Sequence, residues 1–300
     1  MVARCLALFV VLAFLAGACD LPRLDDQRER PLAQTSSVYA SDGSLITDLH
    51  ATENRVILTP DQIPQWVRDA TVAIEDRRFY DHGGVDVFAL ARALAVDIGH
   101  GRIVEGGSTI TQQLVKNLYT GDAENLRRKI DEAALALQME HRYTKDEILT
   151  DYLNTVYFGE GAYGIEAAAE TYFGVHAGEL DLSESATLAG LITAPNHFDP
   201  LVRPDSAEGR RNVVLRIMDQ MDTITHPQHE QARGERITVV HSDTQDRYPF
   251  PYFVDYFKRW FLSNPAFGKT YDDRYRLLFT GGLRITTTLD PAVQAAGENA

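Results

Sequence analysis

Residues Gly106 to Tyr119 read GGSTITQQLVKNLY: two glycines, then Ser108, Thr109 and Thr111, two glutamines, and only afterwards a helical pattern of Leu114, Val115 and Leu118 around Lys116. A wholly buried segment would not place so many hydrogen-bonding groups in succession, because each costs free energy unless it is paired. A solvated loop would not need so regular an exit into an apolar stripe. The run therefore reads as a loop entering a helix, with the hydroxyls of Ser108 and Thr109 and the amides of Gln112 and Gln113 available to orient an oxygen-rich ligand.

The flanks are helical. Upstream, Thr59, Pro60 and Gln62 supply an N-cap, a first-turn proline and a capping-box partner, with Ile63, Val67, Ala70 and Ile74 as the apolar stripe. Glu75 then falls at the end of a well-specified helix, beside the turn DRRFYDHGG, and a second helix is expected from Asp86 to about Ile98. Downstream, NLRRKIDEAALALQMEHR (125–142) is a strong helix former with Ile130, Ala134 and Leu137 on one side. Thr144 and Glu147 form another capping box, GIEAAAETYFG (164–174) is a helix closed by glycine, SESATLAGLI (183–192) a helix started by Ser183, and a last helix covers Pro204 to Asp219. Ahead of them all, SVYASDGSLITDL (37–49) alternates around Asp42-Gly43 as a hairpin. Residues 38–219 thus read as one mainly α domain with a small N-terminal β element.

The 300 residues suffice for a sizeable core, and 44% hydrophobic with 24% charged content is that of a globular chain. Acidic residues outnumber basic ones 43 to 29, for a net charge of -14, which argues against nucleic acid as a partner. Residues 1–19, MVARCLALFVVLAFLAGAC, have the charge and apolar run of an export leader. As helix, Leu6 to Ala18 reaches only about 20 Å against a hydrocarbon core of roughly 30 Å. Three readings compete: a tight or tilted membrane anchor, cleavage with lipid attachment at Cys19, or a buried helix. Cys5 and Cys19 both lie in this leader, so no disulfide or cysteine metal site is available downstream. Residues 20–37 read as a tether and 220–279 as a linker region. In the latter, His226, His229 and His241 have no ligand-like spacing that outweighs a surface reading, and PFPYFVDYFKRWFL (249–262) is an amphipathic stretch that should pack on a neighbour or on lipid. The closing GGLRITTTLDPAVQAAGENA (281–300) reads as a strand followed by the beginning of a helix.

Glu75 and Glu132 are the carboxylates of choice for catalysis, each in a helix or at its end among small and apolar neighbours, where burial makes a carboxylate a better base. The alternative for either is a solvent-facing side chain or one paired with Arg77 or Arg128. Lys116, Arg127, Arg128 and Lys129 stand close in sequence to these groups. Such cations hold a diphosphate, arginine through its planar fork and lysine as a point charge, or else simply keep a helix soluble.

EDRRFYDHGGVD (75–86), GGSTITQQLVKNLY, RRKIDEAALALQME (127–140), YLNTVYFGEGAYGIEAAAETYFG (152–174) and LSESATLAGLITAPNHFDP (182–200) resemble the five ordered motifs of the peptidoglycan glycosyltransferase domain of class A penicillin-binding proteins. The resemblance covers residues 38–219, and GGLRITTTLDPAVQ (281–294) is similar to the approach to that family's transpeptidase domain, so 280–300 reads as the truncated beginning of one. It implies a lysozyme-like helical fold and the polymerisation of lipid II into a growing glycan strand on the extracytoplasmic side of the cell membrane, with membrane lipid and cell-wall synthesis proteins as further partners. By the same resemblance Glu75 is the general base, Asp76 its orienting neighbour, and Glu132 the carboxylate that organises the donor diphosphate, directly or through a divalent cation, Mg2+ or Mn2+. Gln112, Lys116, Arg128 and Lys129 match substrate-contacting positions. The sequence departs from the family at GDAENLRRK (121–129), where Glu124 stands near a position often basic in relatives. A lysozyme-like lytic enzyme and a noncatalytic cell-wall scaffold are the competing readings.

Overall fold

The computed structural model describes residues 21–26, 32–50, 54–88, 107–120, 126–240 and 250–298. The leader with Cys19, Glu124 and the helix expected toward Ile98 after residue 88 lie outside the described residues. The fold is mainly α with a small sheet built on the N-terminal hairpin. In chain order the strands β1 (Ser36–Tyr39) and β2 (Leu45–Leu49) precede helices α1 (Gln65–Glu75), α2 (Ile110–Val115), α3 (Leu126–Arg142) and α4 (Lys145–Thr155). The short strands β3 (Tyr157–Gly159) and β4 (Ala162–Tyr163) lead into α5 (Ile165–Phe173), α6 (Leu182–Leu191), α7 (Pro195–Phe198), α8 (Pro204–Gln220) and α9 (His226–Gly234). Helices α10 (Pro251–Ser263) and α11 (Tyr271–Thr280), strand β5 (Arg284–Thr286) and helix α12 (Pro291–Glu298) follow.

Local chemistry sets most of these boundaries. The Thr59/Gln62 capping box forms, Gln62 Oε1 accepting from the Thr59 N–H at 2.8 Å, but it opens only a 3-10 turn, Pro60–Gln62. Pro64 holds Ile63 extended, as a residue before proline prefers, so α1 starts at Gln65, later than the capping pattern suggests. The Thr144/Glu147 box opens α4, with the Thr144 N–H donating to Glu147 at 2.7 Å. The N-cap of α6 is Asp181 rather than the expected Ser183: Asp181 accepts from the Glu184 N–H at 2.8 Å, and its own N–H is answered by Glu184. An Asp-x-x-Glu box meets the same requirement as a serine cap and lies two residues earlier.

By its internal contacts the chain divides into two units, residues 1–30 with 78–149, and residues 31–77 with 150–300. In the first, α2 packs on α3. The Gln138 side chain of α3 binds the Leu24 N–H and the Pro22 carbonyl, fixing the residue 21–26 segment alongside. The close fit at Gly84 decides how the 79–84 turn joins this unit: its φ is +90°, and a Cβ there would lie 2.7 Å from the Ala136 carbonyl oxygen of α3.

Among the described residues, two apolar clusters belong to the second unit. Ala70 and Ala73 of α1, Ala186 and Ala189 of α6, and Val214, Leu215, Ile217 and Met218 of α8 are buried together, with Ala232 of α9. Alanine on two of the facing helices lets the backbones approach, and the larger α8 side chains fill the space, each fully buried Val or Leu contributing about 1.5–3 kcal/mol. The other cluster joins Val38, Ala40, Ile46 and Leu49 of the hairpin to Val254, Phe257, Phe261 and Leu278. The aromatic stretch expected to need a neighbour finds it here. The sheet order is β2-β1-β5, with β1 antiparallel to β2 (Val38 opposite Thr47) and parallel to β5 (Val38 opposite Ile285). The hairpin assigned by sequence to 38–219 therefore shares its sheet with residues beyond the linker region.

Candidate active site

Glu75 is the last residue of α1, half-buried, with Asp76 buried immediately after it. The Thr193 hydroxyl donates to Glu75 Oε1 at 3.0 Å, and Arg210 Nη2 donates to that same hydroxyl oxygen at 3.0 Å. Arg210 is anchored on α6 by its Nε donating to the Gly190 carbonyl at 3.3 Å and lies over the Phe198 ring. Burial pulls its guanidinium downward in pKa while the Glu75 charge opposes that shift. Tyr152 is fully buried, its phenol raised well above the usual range by burial and then by the charges of Glu75 and Asp76. The carboxylate is thus aimed by an accessible hydroxyl that a cation secures in turn. Such an arrangement orients a base toward a hydroxyl substrate.

The other candidates belong to the first unit. Glu132 of α3 has no solvent exposure. Arg128 Nε lies 3.2 Å from its Oε1 and Lys129 Nζ 3.0 Å from its Oε2, while Thr120 donates to Oε1 at 3.3 Å. Arg128 is buried and Lys129 half-exposed, and Lys129 Nζ also donates to Ser108 Oγ at 3.3 Å. Ser108, Arg128, Lys129 and Glu132 are therefore brought together. The i,i+3 and i,i+4 spacing on one helix face puts both cations beside one carboxylate. Thr120 reaches it because the helix widens into a π turn over Lys116–Thr120, a distortion that often accompanies function.

The opening polar run has a second use. Thr109 is the N-cap of α2: its hydroxyl oxygen accepts from the Gln112 N–H at 3.1 Å, its hydroxyl donates to the Gly84 carbonyl at 2.6 Å, and Gln112 Oε1 accepts from the Thr109 N–H at 3.0 Å. Thr109 is buried, so its groups serve the cap and the 79–84 turn. Thr111, which the sequence reading left without a role, donates to Glu140 at 2.6 Å, and Lys145 pairs with that carboxylate at 2.7 Å. Gln113 and Lys116 continue the same helix, the Gln113 N–H donating to the Thr109 carbonyl and the Lys116 N–H to the Gln112 and Gln113 carbonyls. Thr193 and Arg210 were missed. Thr193 lies inside the quoted stretch 182–200, but nothing in the one-dimensional pattern points Arg210 at Glu75.

The Transglycosylase family matches residues 42–219, a span that contains all the residues just described. Penicillin-binding protein 1A of Aquifex aeolicus is 43% identical over 258 residues, 86% of this chain and 34% of that protein. Penicillin-binding protein 1A of Escherichia coli is 39% identical over 280 residues, 93% and 32% of the respective chains. The crystal structure of penicillin-binding protein 1A from Haemophilus influenzae aligns with a TM-score of 0.47 at 24% identity, covering 91% of this chain and 29% of that one. The chain spans about a third of the length of the curated relatives it matches. Since the family match runs over well more than half of its residues, the chain belongs to the Transglycosylase family.

Proposed function

We propose that the chain is a peptidoglycan glycosyltransferase that polymerises lipid II into glycan strands, releasing undecaprenyl diphosphate. The observation that carries this reading is the family match across residues 42–219, within which Glu75 is an accessible, hydroxyl-tethered carboxylate. Glu75 takes the proton from the acceptor sugar's 4-hydroxyl, Asp76 supports it, and the freed oxygen attacks C1 of the donor. The bond from C1 to the diphosphate breaks with its electron pair leaving on the diphosphate. That group leaves readily without a protonating acid, so cations matter there more than a second proton donor. One nucleophile attacking the face opposite the leaving group inverts C1, with no covalent sugar intermediate.

Arg128, Lys129 and Lys116 supply the cations, with Ser108, Gln112 and Gln113 as polar contacts to the substrate. Glu132 is a positioning residue for Arg128 and Lys129. A divalent cation, Mg2+ or Mn2+, held directly by this carboxylate would have to take the place of the arginine or lysine that face its two oxygens. Among the described residues, the two clusters of His, Asp and Glu close enough to share an ion do not include Glu132.

The lipid-linked substrate places the reaction at the extracytoplasmic face of the cell membrane, beside cell-wall synthesis proteins. Among the described residues no helix is long and apolar enough to cross a membrane. Incubation with labelled lipid II followed by separation of glycan chains tests the proposal. Polymer lost in Glu75→Gln is the expected result; no polymer from the unaltered chain, under detergent conditions that support a known polymerase, overturns it.

A further inference from the structure

Three metal-ligating side chains meet where α8 turns back into α9. Asp219 is in the last turn of α8, and His226 and His229 stand three apart at the start of α9. His226 Nδ1 lies 3.0 Å and His229 Nδ1 3.3 Å from one and the same atom, Asp219 Oδ2. The three donor atoms fall within 4.8 Å of one another. The i,i+3 spacing of the histidines, discounted from sequence, gains its meaning from Asp219 across the turn.

His229 is only 8% exposed, and its Nδ1 is buried without a hydrogen bond, although Asp219 Oδ2 and Glu230 Oε1 (3.5 Å) are near. Buried polar atoms in native proteins are satisfied, so an aimed but unbonded imidazole nitrogen calls for a partner. His226 can be served by Asp219 alone; His229 cannot. Donors held about 2.0–2.1 Å from a tetrahedral zinc ion are separated from each other by about 3.3–3.4 Å. The His229–Asp219 separation of 3.3 Å meets that spacing and the His226–Asp219 separation of 3.0 Å falls just inside it.

The backbone is prepared for such a closure. The Thr223 N–H and hydroxyl both donate to the Met218 carbonyl, at 3.1 and 3.0 Å, folding the turn back, and Thr225 and Gln228 form a capping box at the start of α9. At the far end of α9 the buried Arg211 of α8 donates to the carbonyls of Arg233 and Glu235 at 3.0 and 2.7 Å. One end of α9 is therefore already clamped to α8 by a cation.

We propose that Asp219, His226 and His229 form a structural binding site for a divalent transition ion of the zinc type, with water or Glu230 Oε1 as fourth donor. The ion replaces a proton between the imidazoles and the carboxylate and fastens the second end of α9 to α8. The site is separate from the glycosyl-transfer residues, so its test does not depend on that reading.

The full chain, free of any polyhistidine tag and stripped with chelator, is titrated with Zn2+ and with Co2+. One equivalent should bind, the Co2+ form should show the intense visible band of a tetrahedral site, and the unfolding midpoint should rise with metal concentration. Affinity should fall at least about 10-fold in His226→Gln and Asp219→Asn. His226 is exposed, so its replacement leaves the fold intact, and it stands in for His229→Gln should that buried variant fail to fold. His176→Gln, in the other carboxylate–histidine cluster, should bind as the unaltered chain does. A chain that shows no saturable spectrum, binding untouched by His226→Gln, or binding lost instead in His176→Gln would overturn the site and leave an aspartate–imidazolium pair.

Discussion

Thr193 holds Glu75 from a different stretch of chain, its hydroxyl donating to Oε1 at 3.0 Å while Arg210 secures that hydroxyl from behind. A carboxylate at a helix end has free torsions, and this contact restricts them. Thr193→Val should keep the fold and lower lipid II polymerisation by about 10-fold. Glu75→Gln should lower it by at least about 100-fold, the scale for losing a positioned base. In the double variant the threonine change should add nothing. Independent, multiplicative losses would show that Thr193 does not act through Glu75.

Glu132 should prove more important to folding than to metal use. Its neutralisation takes a carboxylate charge away from the buried Arg128, and breaking a buried ion pair costs about 3 kcal/mol. Glu132→Gln should therefore lose stability along with activity, with the response to Mg2+ or Mn2+ unchanged. A stable Glu132→Gln protein whose defect is relieved by raised metal would restore direct ligation. Arg128→Lys keeps the charge without the fork and should impair turnover more than the unfolding midpoint.

Gly84 should tolerate no side chain. With φ of +90° and a would-be Cβ 2.7 Å from the Ala136 oxygen, Gly84→Ala pushes the turn off α3 at a cost of about 1–3 kcal/mol. Because Thr109 donates to the Gly84 carbonyl, polymerisation should fall as well. Thermal unfolding and a rate measurement on the same preparation check both. An unchanged midpoint would mean that the close approach is relieved by a small backbone shift.

Glu170 should make stability depend on pH. Burial first, then the charges of Glu166 and Asp48, raise its pKa from 4.5 to about 7, against the opposing pull of His176. The folded chain therefore retains a proton that the unfolded chain has released between those values, and stability from this group declines as pH rises through 4.5 to 7. Glu170→Gln should raise the unfolding midpoint by roughly 2–4 °C at pH 8 and leave it unchanged at pH 4. An equal effect at both values would remove the carboxylate's charge as the cause.

Elements governed by neighbours in sequence are legible in the sequence alone. The Thr144/Glu147 box and the Gly174 closure of α5 stand where the pattern puts them. So does the pairing of Glu132 with Arg128, which was the conservative alternative for that carboxylate. Where a second local signal competes, the boundary moves: Pro64 delays α1, and Asp181 caps ahead of Ser183. Within the polar run 107–113, Thr109 and the carbonyl end of Gln112 serve a helix cap. A capping box and a binding loop draw on the same residue types, and only the partners distinguish them. Contacts between distant segments left no one-dimensional trace. Arg210 behind Thr193, Asp219 between two histidines and β5 beside β1 all depend on how helices and strands are brought together.

The parallel pairing of β1 with β5 also has a consequence in time. Ser37 to Tyr39 lie opposite residues 284–286, and the Ser36 hydroxyl accepts from the Leu283 N–H across 247 positions of sequence. A chain made from its N-terminus at about 5–20 residues per second presents the hairpin some 10–50 s before its third strand exists. Throughout that interval one edge of β1 shows unpaired backbone groups, which other extended chains can match. Its alternation of Ser36 and Val38 with Ser37 and Tyr39 offers only a short, half-polar template. Brevity at β1 thus protects the nascent chain while the order of synthesis keeps its partner away.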